Sequence, residues 1–194
     1  MKNKVIIASV IILLTVSVLI YYLSPRPLPP AKEPIPLPST PTPTIIVSYQ
    51  GQIFPGKSSS TDLAKLKGEP ANKTTFNNQT IYNYQATAPN WFNQFYVQDN
   101  LIKLIIEPIF PGDQRDKSTL IKSYGVPTLT LYGDLSDAGK DLFVYPSLGV
   151  AMLASNYTDI LYEIWYFEPT TNDAFIKDLA TPHGYSTIPP TPGE

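Results

Sequence analysis

A chain of 194 residues, 43% hydrophobic and 15% charged, holds one ordinary domain with flanking segments. With no cysteine, disulfides, thiol catalysis and thiolate metal sites are all excluded. The formal net charge is −2, and beyond residue 44 ten Lys or Arg stand against 15 Asp or Glu without a basic cluster; nucleic acid is excluded as a partner, because neutralising phosphates takes grouped cations.

The first elements read as an address. Lys2 and Lys4, in a head of residues 1–4, precede Val5–Leu23, which is 19 residues without a charge. As a helix this run covers roughly 28 Å, close to a hydrocarbon core, and reads as a transmembrane signal-anchor. A cleaved secretory signal competes for the same residues, but the run is longer than a usual signal core and Tyr21-Tyr22-Leu23-Ser24-Pro25 lacks a small-x-small cleavage pattern. The lysine pair is nearer and denser than Arg26 and Lys32 beyond the run. It predicts a single-pass protein of the cell membrane, N-terminus cytoplasmic and C-terminal domain extracytoplasmic. Residues 24–44 hold nine prolines in 21 positions and read as an extended linker, roughly 65 Å at full stretch.

From Ile45 the sequence turns to fold-building, and it does so twice. Ile53-Phe54-Pro55-Gly56 returns as Ile109-Phe110-Pro111-Gly112, Gly68-Glu69-Pro70 as Gly125-Val126-Pro127, and Glu107-Pro108 as Glu168-Pro169. One supersecondary unit is duplicated. In the first copy Ser59-Ser60-Thr61-Asp62 offers an N-cap with an acidic residue in the first turn, Leu63, Ala64 and Leu66 give a short apolar face, and Gly68 is the stop. Gln79–Ala86, Trp91–Gln98 and Leu101–Ile106 read as strands separated by turns at Pro89-Asn90 and Asp99-Asn100. Within the middle strand, the face of Trp91, Asn93, Phe95 and Val97 is the better one for packing on the helix.

In the second copy Asp116 caps a helix through Tyr124, with Leu120 and Ile121 inward. Thr128–Tyr132, Asp141–Pro146, Gly149–Ala154 and Thr158–Phe167 follow as strands. Thr171-Asn172-Asp173 starts a helix over 171–180, and residues 181–194 read as a disordered tail. The expected fold class is α+β: over residues 45–170, two tandem α-β-β-β units (about 53–108 and 109–169) form an antiparallel sheet with short helices on one face, behind a transmembrane helix.

The spacing Gly56, Leu63, Gly68, Pro70, followed by Tyr82-x-Tyr84 and Phe95-Tyr96-Val97, resembles the SmpA/OmlA superfamily. That group includes the BamE-type envelope lipoproteins and the β-lactamase inhibitor proteins. The second copy matches again at Gly112, Leu120, Gly125 and Pro127. The chain departs from the family in having Leu for an aliphatic Val, a longer first gap, and neither lipobox cysteine nor disulfides. The resemblance implies a small antiparallel sheet behind a helix, an envelope address, and binding rather than catalysis; it implies no ligand.

The residues themselves assign no catalytic, cofactor or metal site. His183, the sole histidine, lies between Pro182 and Gly184 and reads as a solvated tail residue without partners to orient a base. Ser58-Ser59-Ser60 lacks an activating Lys or His and reads as a capping cluster. Asp134, Asp137 and Asp141 lack the ligand order and distal Glu of a calcium loop. Gly51 to Ser58 satisfies Gly-x(4)-Gly-Lys-Ser literally, but Pro55 removes an amide from the cradle and Ile53 and Phe54 crowd it. Asn72, Asn78 and Asn156 begin sequons whose use depends on the host.

What remains is an excess of aromatic residues on strands. Tyr82, Tyr84, Tyr96, Tyr162, Trp165 and Tyr166 are the candidate binding surface, for an envelope protein or a glycan. The expected function is a membrane-anchored extracytoplasmic protein-binding or envelope-scaffolding module without enzymatic activity. The alternative is a cell-envelope hydrolase, which needs acids such as Asp99, Glu107 or Glu163 to converge.

Overall fold

The computed structural model describes residues 47–113, 115–134 and 139–190. The chain divides into Met1–Thr42 and Pro43–Glu194, and the described residues all belong to the second unit. The expected head, membrane run and linker therefore lie outside them.

Each copy opens with an eight-residue helix whose ends are set by side chains at the predicted positions. Helix α1, Ser60–Lys67, starts at Ser59, whose hydroxyl accepts from the Asp62 amide at 3.2 Å while the Asp62 carboxylate accepts from the Ser59 amide at 2.9 Å. These reciprocal bonds satisfy two otherwise orphaned groups of the first turn. Helix α2, Lys117–Tyr124, starts at Asp116, whose Oδ1 accepts from the Thr119 amide at 2.7 Å. Gly68 and Gly125 end them at φ 75° and 86°, where a Cβ is strained.

Four strands follow each helix. They are β1 (Asn72–Phe76), β2 (Gln79–Gln85), β3 (Phe92–Gln98) and β4 (Leu101–Pro108), then β5 (Leu129–Tyr132), β6 (Lys140–Tyr145), β7 (Val150–Ser155) and β8 (Leu161–Phe167). They form one antiparallel sheet in the order β1-β2-β3-β4-β8-β7-β6-β5. The two meanders are joined through their last strands, with Ile105 opposite Tyr166 and Ile106 opposite Trp165.

The expected fold class is corrected on three counts. The units are α-β-β-β-β, because β1 precedes the three strands expected in the first copy; its sequence Asn-Lys-Thr-Thr-Phe is exposed along nearly its whole length and carries no apolar alternation to reveal it. Helical segments cover both faces of an otherwise mostly β structure. Finally, no helix among the described residues is long and apolar enough to cross a membrane, so the transmembrane and signal-anchor elements have no support in the fold.

On one face Leu63 of α1 and Leu120, Ile121 and Tyr124 of α2 pack on Phe95, Val97, Ile105, Met152, Ile164 and Tyr166. The other face, with Tyr96, Leu104, Ile106, Leu131, Leu142, Trp165 and Phe167, is covered by helix α3 (Asn172–Phe175) and the turns Ile176–Ala180 and Thr181–His183. Phe175 is fully buried with its ring 4.6 Å from that of Phe167. Burial of such a side chain contributes about 1.5–3 kcal/mol.

One ring bridges strands across this second face: His183 sits 5.0 Å from Phe76 of β1 and 5.2 Å from Trp165 of β8, four strand positions away in the sheet. The residues expected as a disordered tail are therefore partly structural. Tyr185 is buried, and Ser186 exchanges two 2.9 Å backbone hydrogen bonds with Tyr132 of β5.

Candidate functional site

The two copies meet at Glu107-Pro108-Ile109-Phe110-Pro111-Gly112. The Ile109 amide donates to the Tyr162 carbonyl at 2.8 Å and extends the β4–β8 pairing by one bond. The chain then turns: Asp113 N donates to the Phe110 carbonyl at 3.0 Å, and the Asp113 carboxylate accepts from Phe110 N at 3.1 Å. Phe110 is thereby held edge-on to Trp91, which follows the Pro89-Asn90 turn between β2 and β3, at 5.6 Å and 84°. Trp91 nonetheless stays 54% exposed, and Ile160, before β8, 53%.

These residues flank a cleft of about 830 Å³, to which Tyr162, Tyr185, Arg115 and Asp159 also contribute. Its charged groups are committed to the scaffold. Asp159 Oδ1 caps α2 by accepting from the Ser118 amide at 2.7 Å, Glu163 accepts from the Trp165 indole at 2.8 Å, and Lys140 lies 5.2 Å over the Tyr162 ring. Arg115 makes two bonds to Glu107, at 3.0 and 3.1 Å, and approaches Asp113 at 3.6 Å. Burial, the largest single influence, opposes the charge on Arg115, but the hydrogen bond and charge of Glu107 together with the Tyr166 and Asp113 charges outweigh it and raise the guanidinium pKa.

Glu107 is 8% exposed and also accepts from the Tyr166 hydroxyl at 2.8 Å. Burial first, then the Glu107 charge, pushes the pKa of Tyr166 far up, and the same two causes raise Tyr49. A polar pocket of about 290 Å³, lined by Lys67, Asn93 and Gln85, lies on the other side of Arg115 and Phe110, which border both spaces. Burial lowers the pKa of Lys67 there. With the ions occupied, the uncommitted surface of the cleft is apolar: Trp91, Phe110, Pro111 and Ile160. Such a surface takes an apolar or aromatic anchor.

The two repeat motifs differ in how they are covered. A Cβ on Gly56 would meet the carboxyl carbon of the exposed Glu168 side chain at 2.5 Å, whereas a Cβ on Gly112 would meet nothing within 4 Å. The literal phosphate-loop pattern in the first copy is spent on packing, with Ile53 2% exposed and bridged to Tyr49.

Of the six aromatic residues expected as a binding surface, Tyr84, Tyr96, Trp165 and Tyr166 are buried, at 2–8% exposure. Tyr82 is half-buried on the helical face under Lys73, with Nζ 4.6 Å from its ring. Only Tyr162 reaches the cleft. The open sheet face they were to form is absent among the described residues, because both faces are covered. Trp91, Phe110 and Ile160 were not foreseen as a site. Their signal was a large apolar side chain inside turn chemistry, which hydrophobic periodicity passes over.

The acids of the hydrolase alternative do not converge. Glu107 pairs in register with Ile164 and Glu163 with Pro108, one step out of phase, so their side chains leave opposite faces, and Asp99 sits in the β3–β4 turn at φ 50°. Among the described residues no group of three His, Cys, Asp or Glu side chains could hold a metal ion; Asp137 lies outside them. His183 is not solvated as expected: Phe76, Tyr96 and Trp165 surround its ring.

No family model matches the sequence. No curated protein matches it either. Among solved structures, the chain is similar to a DUF4309 family protein, YjgB, from Bacillus subtilis subsp. subtilis str. 168, with TM-score 0.43 and 14% identity over 61% of this chain and 84% of that one. It is also similar to a cysteine-rich secretory protein, SAV1118, from Staphylococcus aureus subsp. aureus Mu50, with TM-score 0.44 and 7% identity over 75% of this chain and 51% of that one.

Proposed function

We propose that the folded body is a binding module that holds a protein partner in the cleft between its two copies, and that it has no catalytic role. The observation that supports this is the pair Trp91 and Ile160, large apolar side chains left more than half exposed on either side of an 830 Å³ cleft. The site moves from the sheet face, where sequence reasoning put it, to the junction. An address outside the cytoplasm belongs to the same proposal, and accessibility of the body to protease in intact cells tests it.

The binding test is affinity capture from envelope extracts of the host with the full chain, run beside Trp91→Ala and Ile160→Ser. A partner held by wild type and lost from both variants supports the cleft. A partner held equally by all three places binding elsewhere and overturns the reading.

A further inference from the structure

The C-terminal segment is fastened by one side chain with an unusual balance of polar contacts. His183 Nδ1 lies 2.7 Å from the Leu179 carbonyl oxygen, which fixes the neutral ring's proton on Nδ1 and leaves Nε2 a bare lone pair. Nε2 is buried and has no hydrogen-bond partner among the described residues. The ring is walled by Phe76 at 5.0 Å, Tyr96 at 5.2 Å and Trp165 at 5.2 Å, from three strands of this face. Immediately beyond it, Tyr185 stands edge-on to Trp165 at 5.6 Å, and Ser186 pairs with Tyr132 on the rim strand β5. Residues 181–186 are thus a strap, and Tyr185, in its middle, is a wall of the junction cleft.

We propose that His183 is a proton-operated latch: protonation turns Nε2 from an idle lone pair into a buried N–H donor with no acceptor, the strap lets go, and the Tyr185 wall of the cleft opens. A buried neutral acceptor left unmet carries an ordinary desolvation penalty, whereas a buried charged donor without a partner carries a larger one. Its consequence for binding rests on the cleft reading above; the latch itself does not. Burial also holds the imidazole pKa below its ordinary value, with the Leu179 carbonyl offsetting part of the effect. A lowered folded-state pKa means that the latch is fully closed above the unfolded value of about 6.5 and loosens as pH falls below it.

The turn that carries the Leu179 carbonyl brings Lys177 and Asp178, both exposed to solvent. From β3 there is the Tyr96 phenol, pushed up to about 12 by burial and then Glu163, and so neutral throughout this range. From β8 there is Glu163, whose Oε2 is bound to the Trp165 indole, and from the strap itself Tyr185, which shares the Trp165 ring. Phe76 brings none from β1. The competing effect is cation–π attraction, since three ring faces within about 6 Å can hold an imidazolium. It has the opposite sign, so a measurement decides.

Because His183 is the chain's sole histidine, its imidazole resonance titrates alone in the full-length protein. The expected midpoint lies below 6.5, in step with at least an about tenfold loss of exchange protection at the Ser186 and Tyr132 amides after correction for intrinsic rates. In His183→Gln the protection should no longer depend on pH in this range. A midpoint at or above 6.5 with the amides still protected overturns the latch, as does an unchanged opening midpoint in His183→Gln. No ligand enters this experiment, so its failure leaves the Trp91 and Ile160 test standing, and failure of that test leaves the latch standing.

Discussion

The hydroxyl of Tyr145 donates to the carbonyl oxygen of Gly125 at 2.8 Å, tying the second strand of a repeat to the stop of its helix. Tyr84 makes the same bond to Gly68 at 3.0 Å in the first copy. The glycine of each Gly-x-Pro therefore serves twice, once by its positive φ and once by its carbonyl. Burial, followed by the Tyr124 charge, pushes the Tyr145 hydroxyl up to about 12, which keeps the donor proton in place at ordinary pH. Tyr84→Phe and Tyr145→Phe should each cost about 1 kcal/mol in urea unfolding, and the double mutant about the sum, because the sites are separate. Unchanged stability in both would make the bonds incidental.

Glu107 holds Arg115 and Tyr166 at once. Glu107→Ala should cost about 2–3 kcal/mol, below the full range for a buried pair because the Arg115 side chain is 36% exposed. Glu107→Gln, keeping an acceptor for Tyr166, should recover part of the loss. Equilibrium denaturation of the two variants side by side checks it; equal losses would show that the charge contributes everything.

The two repeat glycines should respond unequally to a methyl group. Both have positive φ, but only Gly56 is covered, by the Glu168 carboxyl. Gly112→Ala should cost about 1 kcal/mol of backbone strain, and Gly56→Ala more. Adding Glu168→Ala should bring the Gly56 variant back toward the Gly112 one. Thermal midpoints of the three proteins suffice, and a rescue of zero would remove Glu168 from the account.

Asp116 is held below the ordinary carboxylate range by hydrogen bonds from the Thr119 side chain and then its amide. A depressed folded-state pKa contributes stability above the unfolded value of about 3.9, lost as pH falls toward the folded one. Asp116→Asn should therefore flatten the acid limb of the stability profile below about pH 4 while leaving neutral pH nearly unchanged, since Asn caps well. An acid limb of unaltered slope would count against this cap.

Trp91 and Trp165 are the only tryptophans and differ in exposure, 54% against 2%. Iodide should quench one indole freely and the other hardly at all, and Trp91→Ala should abolish the quenchable part. The same variant should lose under about 1.5 kcal/mol of stability, the upper value of its edge-on contact with Phe110.

Legibility in the sequence followed the physics of each element. Asp116 is the N-cap expected, the stretches from Ser59 and from Thr171 start helices with those residues as caps, and Gly68 and Gly125 stop theirs, because caps and stops act over three or four neighbouring residues. The alternation in Phe92–Gln98 gave the correct helical face, with Phe95 and Val97 packed beside Leu63. β1 escaped because an exposed edge strand has no apolar period, and His183 because nothing local reveals that Phe76, Tyr96 and Trp165 surround it. The six aromatic residues lie on strands but divide between two covered faces: Tyr82, Tyr84 and Tyr166 under α1 and α2, and Tyr96, Tyr162 and Trp165 on the face of α3 and the segment after it, a cover distant in sequence. The cleft escaped for the same reason, since two identical motifs differ in their neighbours: Glu168 lies over Gly56 and nothing among the described residues lies over Gly112.

Joining the meanders through their last strands also orders events during synthesis. β4, which is buried along most of its length, has no neighbour on one side until β8, the last strand made, is available to pair with it. Until then the growing chain carries a largely buried strand as an unpaired rim, the kind of edge that recruits other chains. A chain stopped at Pro108 would keep that rim permanently, so the first copy expressed alone should aggregate.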